Sequence, residues 1–140
     1  MIDKYMIMGG GFLTLLMALF HFRFPVLFQW EQDFNKIGMP KARIHFTIHV
    51  ALFLLFIGIG SLSVFYSEEM AKEFGVGFGI CIMLASFWLW RTLWQIIYFK
   101  LPKGPKPKAP LIMHYSLTVV FALLALMYSF PIFDLFLNDK

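Results

Sequence analysis

Charged residues are scarce in this chain. They make up 14% of its 140 residues, whereas 60% are hydrophobic, and the mean hydropathy is +0.74. An average soluble domain has about 25% charged and about 45–50% apolar residues. With 12 basic and 8 acidic residues, the chain lacks the charge that would cover a soluble domain of its size. This scarcity excludes a soluble globule and favours a membrane protein.

Other absences narrow the class of protein. Cys81 is the single cysteine, so a disulfide framework is excluded. The chain has no heptad repeat, no glycine-rich phosphate loop and no serine nucleophile motif. The long apolar stretches contain no Asp or Glu, which argues against a carboxylate-bridged di-iron site.

Four long apolar stretches remain, over residues 7–28, 45–66, 74–98 and 110–133. A helix needs about 20 mostly apolar residues to cross a bilayer. The stretches are continuous rather than alternating, so helices are expected and not a barrel. No cleavage site follows the first stretch, so we interpret it as a retained span. The sequence therefore predicts an all-α, four-helix transmembrane bundle with short loops, formed by a single domain over residues 1–140.

The charges divide between the two sides of this bundle. The first and third connections carry most of the basic residues: Arg23, Lys36, Lys41, Arg43, Lys100, Lys103, Lys106 and Lys108. The opposite side carries most of the acids: Asp3, Glu68, Glu69, Glu73, Asp134 and Asp139. Because basic loops stay in the cytoplasm, we expect a bacterial inner-membrane protein with both termini outside. The basic loops would contact anionic lipid headgroups, which explains the net charge of +4 without nucleic acid.

The polar residues inside the spans gather at one depth, near the basic connections. All four histidines fall there: His21, His45, His49 and His114. Arg91 and Gln95 belong to the same layer, with Gln95 about half as deep as Arg91; they are one helical turn apart, with Trp88 on the same stripe. Because intramembrane polar groups usually face the bundle interior, we expect a pocket in the cytoplasmic leaflet.

Small residues gather at the opposite end of the spans, and Gly75-x-x-x-Gly79 is one such pattern. Small residues let helix backbones approach closely. The sequence therefore predicts a bundle whose helices lie close together at the outer end and farther apart at the end with the basic connections.

Our first functional hypothesis is a haem b or transition-metal site for redox chemistry or electron transfer, including transfer with a quinone. Imidazole is the commonest metal ligand and a common haem ligand. Haem would be held by His49 with His21 or His114, with Arg91 on a propionate, and Gln95 and Trp88 would complete the pocket. A bound metal ion would take its ligands from the full histidine set: His45, His49, His21 and His114.

Two alternatives stay open. One is a non-catalytic accessory or assembly subunit that pairs with other membrane subunits or with a second copy. The other is a binding site for an anionic lipid or amphiphile, with or without histidine acid–base chemistry. A simpler interpretation competes with each of these binding sites. In it, the side chains of Arg91 and of each histidine extend to the lipid headgroups and bind no ligand. Whether the protein is an enzyme stays open.

Overall fold

The computed structural model describes residues 2–27, 30–99 and 108–138, and these residues form helices and no strand. The helices are α1 (Ile2–Phe22), α2 (Phe24–Leu27), α3 (Trp30–Ile37), α4 (Met39–Phe65), α5 (Ser67–Met70), α6 (Val76–Ile97) and α7 (Lys108–Asn138). Of these, α1, α4, α6 and α7 are long and apolar enough to cross a membrane. The predicted all-α four-helix bundle is confirmed.

The helix bounds differ from the predicted spans by five or six residues at the start of α1, at the first basic connection and at the end of α7. The first span is interrupted at Arg23, because Pro25 cannot donate a backbone hydrogen bond and its ring crowds the preceding turn. The next segment, residues 30–37, forms helix α3, and the chain then turns at Gly38, which has a φ of 84°. Helix α4 begins at Met39, earlier than predicted, with a proline in its first turn. The proline- and lysine-rich segment 101–110 is expected from its composition to be extended, but its last residues, from Lys108, belong to helix α7, and residues 100–107 lie outside the described part of the chain.

The four long helices pack in the order α4, α1, α7, α6. Helix α1 lies between α4 and α7, and α6 packs on α7. Between described residues of α4 and α6, no pair of α-carbons comes within 8 Å. The bundle is therefore open between α4 and α6, and side chains or ligands must fill that space.

Small residues set the approach of α1 and α4. A Cβ added to Gly11 would lie 2.9 Å from the carbonyl oxygen of Gly60 and 2.9 Å from Cβ of Ser63. The expected close packing at this end is thus found, between α1 and α4. The Gly75-x-x-x-Gly79 pattern does not contribute to it, because a Cβ at either position has no described atom within 4 Å.

A buried hydroxyl cluster lies close to this crossing. The Tyr128 hydroxyl donates to Ser63 Oγ at 2.9 Å, and Thr14 Oγ1 lies 3.4 Å from the same tyrosine oxygen. Thr14 also donates to the carbonyl of Gly10 at 2.8 Å. Because all three hydroxyl side chains are fully buried, they are satisfied within the protein and join α1, α4 and α7.

An exposed ion pair ties α1 to the short helix α5. The Lys4 ammonium lies 2.7 Å from Glu68. This hydrogen bond and the positive charge lower the pKa of the Glu68 carboxyl. The contact holds the connection between α4 and α6 against the start of α1.

Candidate functional site

A cavity of about 710 Å³ lies at the basic end of the bundle, where α1 and α6 finish and α4 and α7 begin. Side chains from α1, α2, α4, α6 and α7 line it. Its deep wall is aromatic: the Trp88 ring is stacked on Phe56 at 5.6 Å and on Phe121 at 5.7 Å between centroids. These three rings bridge the space that the α4 and α6 backbones leave open. The cavity is therefore predominantly apolar and suits a hydrophobic ligand body.

The structure brings five of the predicted site residues to this one cavity: His21, Trp88, Arg91, Gln95 and His114. These residues come from α1, α6 and α7. Trp88 and Gln95 are buried, whereas Arg91 and His114 are partly exposed to the cavity. The walls thus combine one cation, one amide and two imidazoles with aromatic rings.

Three of these side chains form a hydrogen-bonded relay, which we call the Arg91 relay (Arg91, Gln95 and His114). Arg91 Nη1 donates to Gln95 Oε1 at 2.9 Å, and Gln95 Nε2 lies 3.1 Å from His114 Nδ1. A guanidinium can only donate, so it orients the amide with its oxygen towards Arg91. The amide nitrogen must then donate to Nδ1, and neutral His114 carries its proton on Nε2.

The Arg91 charge is only partly compensated inside the protein. Its guanidinium carbon lies 4.4 Å from the Phe121 centroid and 5.3 Å from the Phe99 centroid. Such contacts attract a cation, by about 0.5–2 kcal/mol. Within the described ranges, no carboxylate lies at salt-bridge distance from Arg91. The cavity therefore presents a cation that lacks a counter-ion among these residues.

The other histidines lie away from the Arg91 relay. The His21 ring is stacked on His49 at 4.1 Å between centroids, and His21 alone of the two lines the cavity. His45 and His49 share a helix face, as predicted, but this face packs on Trp30 at 4.7 and 4.6 Å. Helix α3 thus covers the face that was expected to open into the pocket.

The predicted metal set of His45, His49, His21 and His114 is not assembled in this structure. Among the residues it describes, no three His, Cys, Asp or Glu side chains are grouped so that they could hold a metal ion. The physical reason is that Trp30 packs against His45 and His49 on α4, while His114 is hydrogen-bonded to Gln95.

Two polar atoms in the cavity wall are buried without a hydrogen-bond partner in the described part of the chain. They are Trp88 Nε1 and His21 Nε2. Buried donors and acceptors in native proteins are nearly always paired. Both atoms have almost no accessible surface, so they are packed inside the wall and do not face the open cavity.

Sequence reasoning missed Phe56 and Phe121 as cavity walls, because phenylalanine in a span is most simply interpreted as core or lipid-facing bulk. It also missed a second cavity of about 960 Å³ between α2, α3 and α4, beside Arg43 and Trp30. That space depends on α3 being a helix, which the sequence did not predict. None of the predicted cofactor ligands lines it.

Comparisons of this chain with protein-family models, with curated proteins and with solved structures gave no match. The function is therefore inferred from the chain's own residues.

Proposed function

We propose that this membrane protein binds an amphiphile with an anionic head. The head accepts hydrogen bonds from Arg91 and from Nε2 of His114, and the apolar part lies against Phe56, Trp88 and Phe121. The observation that carries this proposal is the Arg91 relay in an apolar cavity, with no carboxylate near it among the described residues.

The energetics favour an anion at this position. An ionised side chain inside a bilayer is costly unless it is paired. A carboxylate or phosphate would supply the missing counter-charge and accept charge-assisted hydrogen bonds, which are about twice as strong as neutral ones. The relay adds a second donor, because it keeps the proton of His114 on the ring nitrogen that Gln95 does not contact.

The surroundings of the cavity suit a ligand that arrives from the lipid. Trp90, Trp94 and Phe99 line it and are 51%, 41% and 48% exposed. With the basic connections in the cytoplasm, the cavity lies in the inner leaflet of the cytoplasmic membrane. Anionic lipid headgroups would also gather there, at Lys36, Lys41 and neighbouring basic residues.

Two features favour this amphiphile over a haem or metal ion. The stacked rings of His21 and His49 leave no room for a porphyrin between them. The relay places the His114 proton on Nε2, whereas a metal ligand needs a free lone pair there and a proton donated from the other nitrogen. The haem or metal site and the accessory-subunit role stay predictions from the sequence.

Binding of tritiated hexadecanoate to the protein in phosphatidylcholine nanodiscs tests the proposal, with empty nanodiscs as blank. Arg91→Gln removes the charge, so we expect the Kd to rise at least tenfold, since hydrogen bonds to charged groups contribute about 1.5–3 kcal/mol. Arg43→Gln is the matched control, because Arg43 is exposed at the same end and does not line this cavity. Its Kd should stay within about twofold of the wild-type value.

Competing ligands identify the head. Hexadecyl phosphate and hexadecanoate distinguish a phosphate from a carboxylate, and the methyl ester and hexadecanol lack the charge. We expect at least one anion to compete and both neutral compounds to compete poorly. Equal competition by the neutral compounds, or an unchanged Kd in Arg91→Gln, would overturn the proposal.

A further inference from the structure

The wall of the cavity is rich in aromatic side chains. Of the sixteen described residues that line it, eight are Phe or Trp and four are Leu or Met. In the whole chain, Phe, Trp and Tyr together make up 19% of the residues. A saturated chain packs on any apolar wall, whereas aromatic rings add edge and face contacts that another ring can use. The lining therefore favours a ligand that contains a ring.

An interfacial belt of aromatic residues accounts for only part of this wall. Trp90 and Trp94 are about half exposed and lie near the basic end, where such a belt is expected. Phe56, Trp88 and Phe121 are buried inside the bundle, where they bridge α4, α6 and α7. The aromatic lining thus extends from the rim to the deep wall.

The Arg91 guanidinium belongs to a column of flat groups within this wall. It lies 4.4 Å from the Phe121 centroid on one side and 5.3 Å from the Phe99 centroid on another. The Phe121 ring is itself stacked on Trp88, and Trp88 on Phe56. The cation that binds the head is therefore surrounded by ring faces, and rings lie close to the first atoms beyond the head.

The geometry of a guanidinium favours a flat group at this position. Arg91 donates from Nη1 to Gln95 and has further N–H donors in the same plane for a carboxylate. A ring joined directly to that carboxylate is conjugated with it and stays in this plane. The methylenes of an alkyl chain are tetrahedral and project out of it. A flat acid thus fits beside the column with less crowding than an alkyl acid.

We propose that the ligand is an aromatic acid with an alkyl tail, whose ring adjoins the carboxylate and contacts Phe99 and Trp94 while the carboxylate binds the Arg91 relay. This inference rests on the proposed function and adds the ligand class. Phe99 and Trp94 are 48% and 41% exposed and line the cavity, so a ligand can reach both. They determine specificity for the ring, whereas Arg91 determines affinity for any acid.

Competition against tritiated hexadecanoate in phosphatidylcholine nanodiscs tests the ligand class. The competitors are hexadecanoate, 4-nonylbenzoate and 10-phenyldecanoate, at about pH 8 so that all carboxyl groups are ionised. The last two are isomers with as many carbon atoms as hexadecanoate, and they differ in whether the ring adjoins the acid or ends the chain. Empty nanodiscs correct for partition into lipid. We expect 4-nonylbenzoate to compete about tenfold better than either other acid, as two aromatic contacts allow.

Variants assign the preference to the two side chains. Phe99→Leu and Trp94→Leu each remove a ring and keep an apolar side chain, so each should reduce the preference to about threefold or less. The Kd of hexadecanoate should change little in both. Phe46→Leu is the matched control, because Phe46 is 50% exposed at the same end of the bundle and does not line this cavity. It should keep the full preference.

The outcomes separate this inference from the proposed function. Equal competition by the two isomers in the wild-type protein overturns the aromatic class and leaves the Arg91-dependent site standing. A preference that persists in both Phe99→Leu and Trp94→Leu, or that is lost equally in Phe46→Leu, overturns the contact with these two rings. If no acid binds, or if binding ignores Arg91, both proposals are wrong.

Discussion

At the scale of single residues, the direction of the Arg91 relay follows from one fact of chemistry. Arginine has no acceptor, so the amide of Gln95 has one allowed orientation and neutral His114 has one allowed tautomer. A charge on α6 thereby fixes the position of a proton on α7. The proposed binding of an anionic head depends on this chain of donors.

Nitrogen NMR of histidine-labelled protein checks the tautomer. We expect His114 to be protonated at Nε2 and unprotonated at Nδ1 in the wild-type protein. Gln95→Leu removes the donor to Nδ1, so His114 should become a mixture of tautomers. The exposed His45 packs on Trp30 and serves as the internal control, with unchanged shifts. A proton on Nδ1 of His114 in the wild-type protein contradicts the relay.

A second prediction at this scale concerns the buried hydroxyl cluster. Tyr128→Phe removes the hydroxyl that donates to Ser63, so the free energy of unfolding should fall by about 0.5–1.5 kcal/mol. Unfolding in mixed detergent and dodecyl sulfate micelles measures it. Tyr115→Phe is the control, because Tyr115 is 59% exposed, and it should unfold like the wild type. Equal stability of both variants would show that the buried hydrogen bond contributes nothing.

At the scale of helices, contacts within one element were predictable and contacts between elements were not. The hydrogen bond from Arg91 to Gln95 follows from their spacing of one helical turn. The partner of Gln95 is His114, and that pairing requires α6 to pack on α7, which the sequence does not reveal. The same limit applies to His45. That it shares a helix face with His49 was predictable from their spacing, but the packing of Trp30 on this face depends on helix α3, which was not predicted.

The small residues give a test of helix packing. Gly11→Ala places a methyl group against the backbone of Gly60, and overpacking of this kind costs about 1–3 kcal/mol. Gly79→Ala meets no described atom within 4 Å and should be neutral or stabilising by up to about 1 kcal/mol, since alanine favours a helix. Dodecyl sulfate unfolding compares the two. If Gly79→Ala is the more destabilising variant, the α1–α4 crossing is not the tight contact of the bundle.

At the scale of the whole molecule, composition alone predicted the class of fold. Scarce charge and four apolar stretches were enough, because each span must satisfy its own backbone in lipid. The order α4, α1, α7, α6 was not predictable, because apolar faces of spanning helices carry little information about neighbours. The gap between α4 and α6, and hence the cavity, therefore came only from the structure.

The charge asymmetry predicts the orientation in the membrane. In spheroplasts, a membrane-impermeant maleimide should label Lys72→Cys directly, and should label Lys41→Cys only after permeabilisation. The native Cys81 is fully buried and gives little background. Direct labelling at position 41 with protection at position 72 would reverse the orientation and move the cavity to the outer leaflet.

Native mass spectrometry of the protein released from purified membranes would detect a bound amphiphile without an added probe. We expect a bound acidic amphiphile on the wild-type protein and on Arg43→Gln, and its loss from Arg91→Gln. A wild-type protein that carries no such ligand, or that carries a haem or metal ion instead, would contradict it. So would an amphiphile retained equally by Arg91→Gln, because the cation in the cavity would then play no part in binding.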